Sequence, residues 1–173
     1  MNRFFLHSSL LLPAFATAQP DTLFVPSGDS VYVYAVVYEP VQPVEQYKRR
    51  GAFAYDTTRT AVLLDYKRGT PSGVYRAFFP DGKPLIFAVY GYGSLYGDWT
   101  EYDEFGRVTV KGQYRDGLRD GPWEFRKAGI RGRYSEGKKH GRWKYFQNGR
   151  LVKVEKYHDD QLRTGGTFNL PGR

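Results

Sequence analysis

Residues 112–129 read Gly-Gln-Tyr-Arg-Asp-Gly-Leu-Arg-Asp-Gly-Pro-Trp-Glu-Phe-Arg-Lys-Ala-Gly, and residues 132–149 read Gly-Arg-Tyr-Ser-Glu-Gly-Lys-Lys-His-Gly-Arg-Trp-Lys-Tyr-Phe-Gln-Asn-Gly. Laid over one another, they share a tyrosine (Tyr114, Tyr134), two glycines four apart (Gly117 and Gly121, Gly137 and Gly141), a tryptophan (Trp123, Trp143), a further aromatic (Phe125, Tyr145) and a closing glycine (Gly129, Gly149). The same frame fits Tyr90, Gly93, Gly97, Trp99, Tyr102 and Gly106, and before it Tyr66, Gly69, Gly73, Tyr75, Phe78 and Gly82. Four units thus recur at spacings of 24, 24 and 20 residues, and all 3 tryptophans occupy one repeat position. Self-similarity at a short period is the mark of a repeat architecture, so it decides the fold before any single element is assigned.

Within a unit the period is two. Val108, Val110, Gly112 and Tyr114 alternate with Arg107, Thr109, Lys111 and Gln113, which is the pattern of a half-buried strand. Between strands lie the glycine-bearing stretches 115–121 and 135–141, which read as hairpin loops. One hairpin is marginal in water, so neighbouring units must stack side by side to share an apolar face. The expectation is an all-β protein: an elongated single-layer twisted antiparallel sheet of repeated β-hairpins, with no substantial helix after residue 18. A composition with 20 Gly, 15 Tyr and 12 Phe in 173 residues agrees.

The stretch from about Asp65 to Gln161 resembles MORN repeats, in particular the bacterial variant whose units read Gly-x-Tyr-x-x-Gly-x-x-x-Gly-x-Trp-x-Tyr-x-x-x-Gly. The resemblance implies the stacked-hairpin fold. It implies no catalytic residues, since the family has none to carry over. Members of the bacterial group are often labelled antitoxins, and related repeats are described as membrane-associating or scaffolding modules. The end copies depart from the pattern: after Tyr157, Asp160 replaces the first glycine and Gly165 comes one place late, while 47–51 keeps only a remnant. Both ends read as caps, which a repeat array needs to close its open edges.

Residues 1–18 have a basic start at Arg3, an apolar run and Ala16-Thr17-Ala18, the pattern of a secretory signal peptide cleaved after Ala18. The chain has 0 Cys, hence no lipid-attachment cysteine and no disulfide framework. The expected location is secreted or periplasmic, with no transmembrane segment in the mature chain. The expected organisation is a signal peptide at 1–18, an N-terminal hairpin and capping region at 19–64, MORN-like repeats at 65–161 and a C-terminal tail at 162–173. In the capping region, Leu23–Val25 and the alternating run 31–38 flank a turn at 26–29, and Pro40 and Pro43 mark a linker.

Charge is unevenly placed along the chain. Residues 19–106 carry 8 Lys and Arg against 11 Asp and Glu, whereas 107–173 carry 17 against 7. Alternation puts Arg107, Lys111, Arg126, Arg131, Arg133, Arg142 and Lys144 opposite the aromatic face. Arg126, Arg131, Arg133, Arg142 and Lys144 are therefore the candidates for contact with a polyanion such as a phosphorylated glycolipid, anionic lipid or acidic glycan, the alternative being a face charged for solubility alone. Trp99, Trp123, Trp143, Tyr114 and Tyr134 are the aromatic-face candidates: a stacking platform for sugars or a partner's apolar residues, or the core of the array.

Nothing points to catalysis or to a cofactor. Asp98, Glu101, Asp103 and Glu104 form the densest carboxylate cluster, where an acid and base or a calcium site is conceivable, but the repeat spacing explains them as solvated turn residues. His140 and His158 have no cysteine or second histidine at metal-ligand spacing, so no metal site is expected. Basic charge with interleaved aromatics fits nucleic-acid binding in principle, yet a secretory leader and the lack of any nucleic-acid module argue against it. The function expected is binding or scaffolding, toward an anionic envelope component or a protein partner. The alternatives are an antitoxin-like protein that neutralises a partner and, last, an enzyme acting on envelope glycan.

Overall fold

The computed structural model describes residues 23–27, 30–37 and 45–167. The expected signal peptide and the Pro40 and Pro43 linker lie outside them. Among the described residues there are fourteen strands and no helix. The strands are β1 (Leu23–Ser27), β2 (Ser30–Val37), β3 (Gln46–Phe53), β4 (Asp56–Lys67), β5 (Thr70–Phe78), β6 (Pro84–Gly91), β7 (Ser94–Tyr102) and β8 (Val108–Arg115). They continue with β9 (Leu118–Arg119), β10 (Gly121–Phe125), β11 (Ile130–Ser135), β12 (Lys138–Gln147), β13 (Arg150–His158) and β14 (Gln161–Thr167). All belong to one sheet in chain order, every neighbour antiparallel, with the two-residue β9 pairing only β8. The all-β sheet of consecutive hairpins is as the repeat predicted.

Strand β4 runs through residues 64 and 65, and β14 pairs along β13. The remnant at 47–51 is part of a full strand, β3, in register with β4.

The hairpin turns explain the first repeat glycine. Asp116 (φ 52°) and Gly117 (φ 79°) are the two central residues between the paired Arg115 and Leu118, a two-residue turn of type I′. Equivalent turns centre on Arg68-Gly69, Tyr92-Gly93, Glu136-Gly137 and Asp159-Asp160. Four of these turns are tied to the preceding hairpin by a backbone bond from their second residue: Gly93 N to Pro71 O, Gly117 N to Leu95 O, Gly137 N to Arg119 O and Asp160 N to Lys139 O, all 2.8–3.0 Å. This lateral tie sets the stagger between successive units.

The core lies on one face of the sheet. Trp99 and Tyr114 sit 5.4 Å apart between ring centres, Tyr114 and Trp123 5.2 Å, Trp123 and Tyr134 5.9 Å, Tyr134 and Trp143 5.0 Å, and Trp143 and Tyr157 6.3 Å, each near edge-to-face. That geometry suits aromatic quadrupoles and adds to the gain from area alone. Trp123 and Trp143 are each only 2% exposed, although no second layer of described residues covers them.

What lets an indole lie so flat is the residue beneath it. Gly112 and Gly132 have no side chain, and a Cβ built on either would stand 2.2 Å from the Trp123 or Trp143 ring. Along the array this seat and the ring over it vary inversely in size. Leu64 lies beside Tyr75, Ala88 beside Trp99, Gly132 beside Trp143, and Glu155 beside Gly165. Over Ala88, Trp99 keeps 8% exposure and donates its Nε1 proton to Glu101 Oε1, whereas Trp123, over glycine, reaches the Gln113 carbonyl. Constant volume is how a close-packed repeat tolerates variation.

Two outcomes follow for stability. Gly132→Ala must lift the Trp143 ring and should cost at least about 3 kcal/mol in urea unfolding, the upper end for overpacking; a loss below about 1 kcal/mol contradicts the seat. Tyr92 holds φ 51° while 101% exposed. Tyr92→Asn should therefore raise stability by about 0.5–1 kcal/mol, read as a higher melting temperature, because asparagine suits the first position of a type I′ turn.

Candidate functional site: a cationic strip on the open face

The face opposite the tryptophans has no aromatic layer over β8 and β10–β13. Register defines two rows across it. Lys111, Glu124, Arg131, Lys144 and Val154 follow one another by direct pairing. Alongside, Pro122 pairs with Arg133, and Arg142 pairs with Lys156. Lys111, Arg131, Arg133, Arg142, Lys144 and Lys156 are all exposed.

The five sequence candidates divide in two. Glu124 neutralises part of the strip, because its Oε1 accepts Arg131 Nε at 2.8 Å and its Oε2 accepts Arg126 Nε at 3.1 Å. Arg126 lies past the end of β10, in the turn, and Arg131 also stacks over Phe146 at 5.2 Å. With Lys127, these two arginines line an open recess of about 740 Å³. Arg133, Arg142 and Lys144 make no ion pair with any described residue, and neither do Lys111 and Lys156. Unneutralised cations on a fixed backbone repel one another modestly in water, and a polyanion relieves that repulsion across several of them at once.

The aromatic candidates are core rather than platform. Trp99, Trp123, Trp143 and Tyr134 are buried and Tyr114 is half-buried. Cations close the outer side of the indoles: Arg119 lies 4.6 Å from the Trp123 ring centre, and Lys139 4.7 Å from that of Trp143. Both occupy one repeat position, opposite Tyr114 and Tyr134 respectively, where the preceding unit has Leu95 opposite Tyr90. No open indole surface remains there for a sugar.

The carboxylate cluster does not converge. Alternation sends Asp98 to the open face, hydrogen-bonded by Gln113, and Glu101 to the core face under the Trp99 Nε1 proton. Asp103 organises its turn: desolvation pushes its carboxyl up, but bonds from the Arg107 and Phe105 backbone and from the Arg107 guanidinium outweigh it and hold the carboxyl below its ordinary range. Glu104 is exposed.

Sequence reading passed over two groups. Lys156 joins the strip only through the β12–β13 register. Glu155 occupies the seat that is glycine in the two preceding units, and no tryptophan follows to cover it. Its Oε2 accepts the hydroxyls of Tyr145 (2.5 Å) and Tyr157 (2.9 Å), and its Oε1 meets Lys153 Nζ at 2.5 Å. Those bonds, first from Lys153 and then from Tyr145, hold the carboxyl down at about 2. Burial, reinforced by the bond to Glu155, raises the Tyr145 hydroxyl. The only sequence signal was a glutamate in a glycine register.

No protein-family model matches the chain, and no curated protein matches it. No helix of the described residues is long and apolar enough to cross a membrane.

The Glu155 cluster gives a pH prediction. A carboxyl whose folded value lies below its unfolded value contributes stability above the unfolded value and loses it as pH falls toward the folded one. The wild type should therefore lose stability between about pH 4.5 and about 2. Glu155→Gln should show a shallower slope of unfolding free energy against pH in that window, and equal slopes contradict the assignment.

Proposed function

We propose that this chain is a secreted or periplasmic MORN-like repeat protein that binds without catalysis, its open sheet face taking an anionic component of the cell envelope. The observation that carries this reading is the strip of exposed cations without ion-pair partners among the described residues, Lys111, Arg133, Arg142, Lys144 and Lys156, on adjacent strands of one face. A face charged only for solubility mixes both signs. Here Glu124 is the one carboxylate within the two rows, and Arg126 and Arg131 already occupy it.

Binding is multivalent. Each cation contributes little in water, but a backbone that holds several in register adds their contacts without further ordering cost. The contacts are electrostatic and weaken with salt once charges are separated by more than a Debye length, about 10 Å at 0.1 M. The closed aromatic face favours the cationic face over an aromatic clasp as the contact surface. The leader-like residues 1–18 support the envelope location.

The test is retention of the protein on vesicles containing an anionic phospholipid, and separately on phosphorylated lipopolysaccharide, across a salt titration. Retention should be lost as salt rises and lost at low salt in Arg133→Glu/Arg142→Glu, while a Lys67→Glu control on the β4–β5 turn keeps it. Equal retention of the double variant and wild type contradicts the reading.

A further inference from the structure

The three histidines of the chain are His7, His140 and His158, and the last two are 18 residues apart in sequence. Strand pairing removes that distance. Gly141 pairs with Tyr157, so the next pair outward along the same register is His140 with His158, and their ring centres lie 4.9 Å apart. Asp159 follows directly in the type I′ turn, at φ 50°. Its carboxylate bridges the two imidazoles, Oδ1 at 3.3 Å from His140 Nδ1 and Oδ2 at 3.2 Å from His158 Nδ1.

We propose that His140, His158 and Asp159 form a binding site for a borderline divalent metal ion of the zinc class, at the end of the cationic strip. One ligand atom from each residue can be chosen so that all lie within 4.8 Å of one another. A tetrahedral ion with bonds of about 2.0–2.1 Å holds its ligand atoms about 3.3 Å apart. The two carboxylate contacts already have that spacing, through the two different oxygens of Asp159, and binding draws ligand atoms up to 4.8 Å apart onto one ion, leaving a position for water.

The site is built on a fixed frame. Asp160 replaces the glycine that other units have at the second turn position, and it ties the turn to β12 twice: its N–H donates to Lys139 O at 3.0 Å and its Oδ1 accepts Lys139 N–H at 2.8 Å. One unit earlier, the corresponding places hold Asp120, Ser135 and Glu136, where Glu136 N–H donates to Asp120 Oδ2 at 3.3 Å. The hairpin geometry is common to both units, and the imidazoles are particular to this one.

Ligand chemistry selects the ion. Two imidazoles and one carboxylate suit zinc, copper or nickel, whereas calcium and magnesium require oxygen ligands. The nearby cations Lys138, Lys139, Arg142 and Lys156 further disfavour an ion held by charge alone, and leave one that gains its binding from nitrogen donation.

The experiment uses the untagged protein from Gln19 to Arg173, in which only His140 and His158 report. Zn²⁺ is titrated while the nitrogen-15 resonances of the imidazoles are followed by NMR. His140 and His158 should move together with one midpoint and saturate at one equivalent, with Mg²⁺ without effect. Loss of even an outer partner typically costs about 10–100-fold in metal affinity, so Asp159→Asn should weaken the midpoint at least about tenfold, and His140→Ala should leave His158 unresponsive over the wild-type range. Separate midpoints for His140 and His158, or an unchanged midpoint in Asp159→Asn, overturns the site. Asp159 is exposed and His140 half-buried, so the variants should keep the fold, which their backbone amide spectra verify.

Discussion

An indole lying on a glycine is the constraint from which the rest of this molecule follows. A one-layer sheet has no second layer to bury its apolar face, so its rings must bury one another. They do so most completely where the strand beneath presents no Cβ: above Gly112 and Gly132, Trp123 and Trp143 drop to the backbone, and tyrosines from flanking strands close edge-on around them. A type I′ turn then fixes each hairpin, and a backbone bond from the turn fixes each hairpin to the last. Stability propagates between neighbours, as in other linear arrays.

Concentrating the core on one face frees the other. Because aromatic side chains and the cations Arg119 and Lys139 close the inner face, the outer face of β8 and β10–β13 needs no apolar residues and carries cations in two rows. The division of labour is that of an antiparallel sheet with one solvated face. At the end of the array the pattern changes character. Glu155 takes the glycine seat and gathers two tyrosines and a lysine, and His140 and His158 meet across the next pair outward. The last unit thus ends the tryptophan series with polar chemistry.

Much of this was legible in the sequence, for identifiable reasons. The spacing of Tyr, Gly, Gly and Trp reports backbone and packing demands that few residues meet, so strand, turn and face could be read at Gly117, Trp123 and Gly129. Alternation alone placed Arg131, Arg133, Arg142 and Lys144 on one face, and the sheet register puts them there. Pairing across strands was not legible. Glu124 is one residue among many until register sets it between Lys111 and Arg131. His140 and His158 have no metal-ligand spacing in sequence, and only the β12–β13 ladder makes them neighbours. The strand at 161–167 was missed because Arg163, Thr164, Gly165 and Gly166 lack apolar alternation; its pairing with β13 holds it.

The most direct test of the central claim, that the cationic face is the contact surface, is lysine footprinting with and without vesicles containing an anionic phospholipid. Lys111, Lys144 and Lys156 are exposed on the strip, while Lys67 and Lys83 are exposed elsewhere on the array. The account predicts that vesicles protect the first three from acylation and leave Lys67 and Lys83 reactive. Uniform protection, or protection of Lys67 and Lys83 with the strip still reactive, would contradict it.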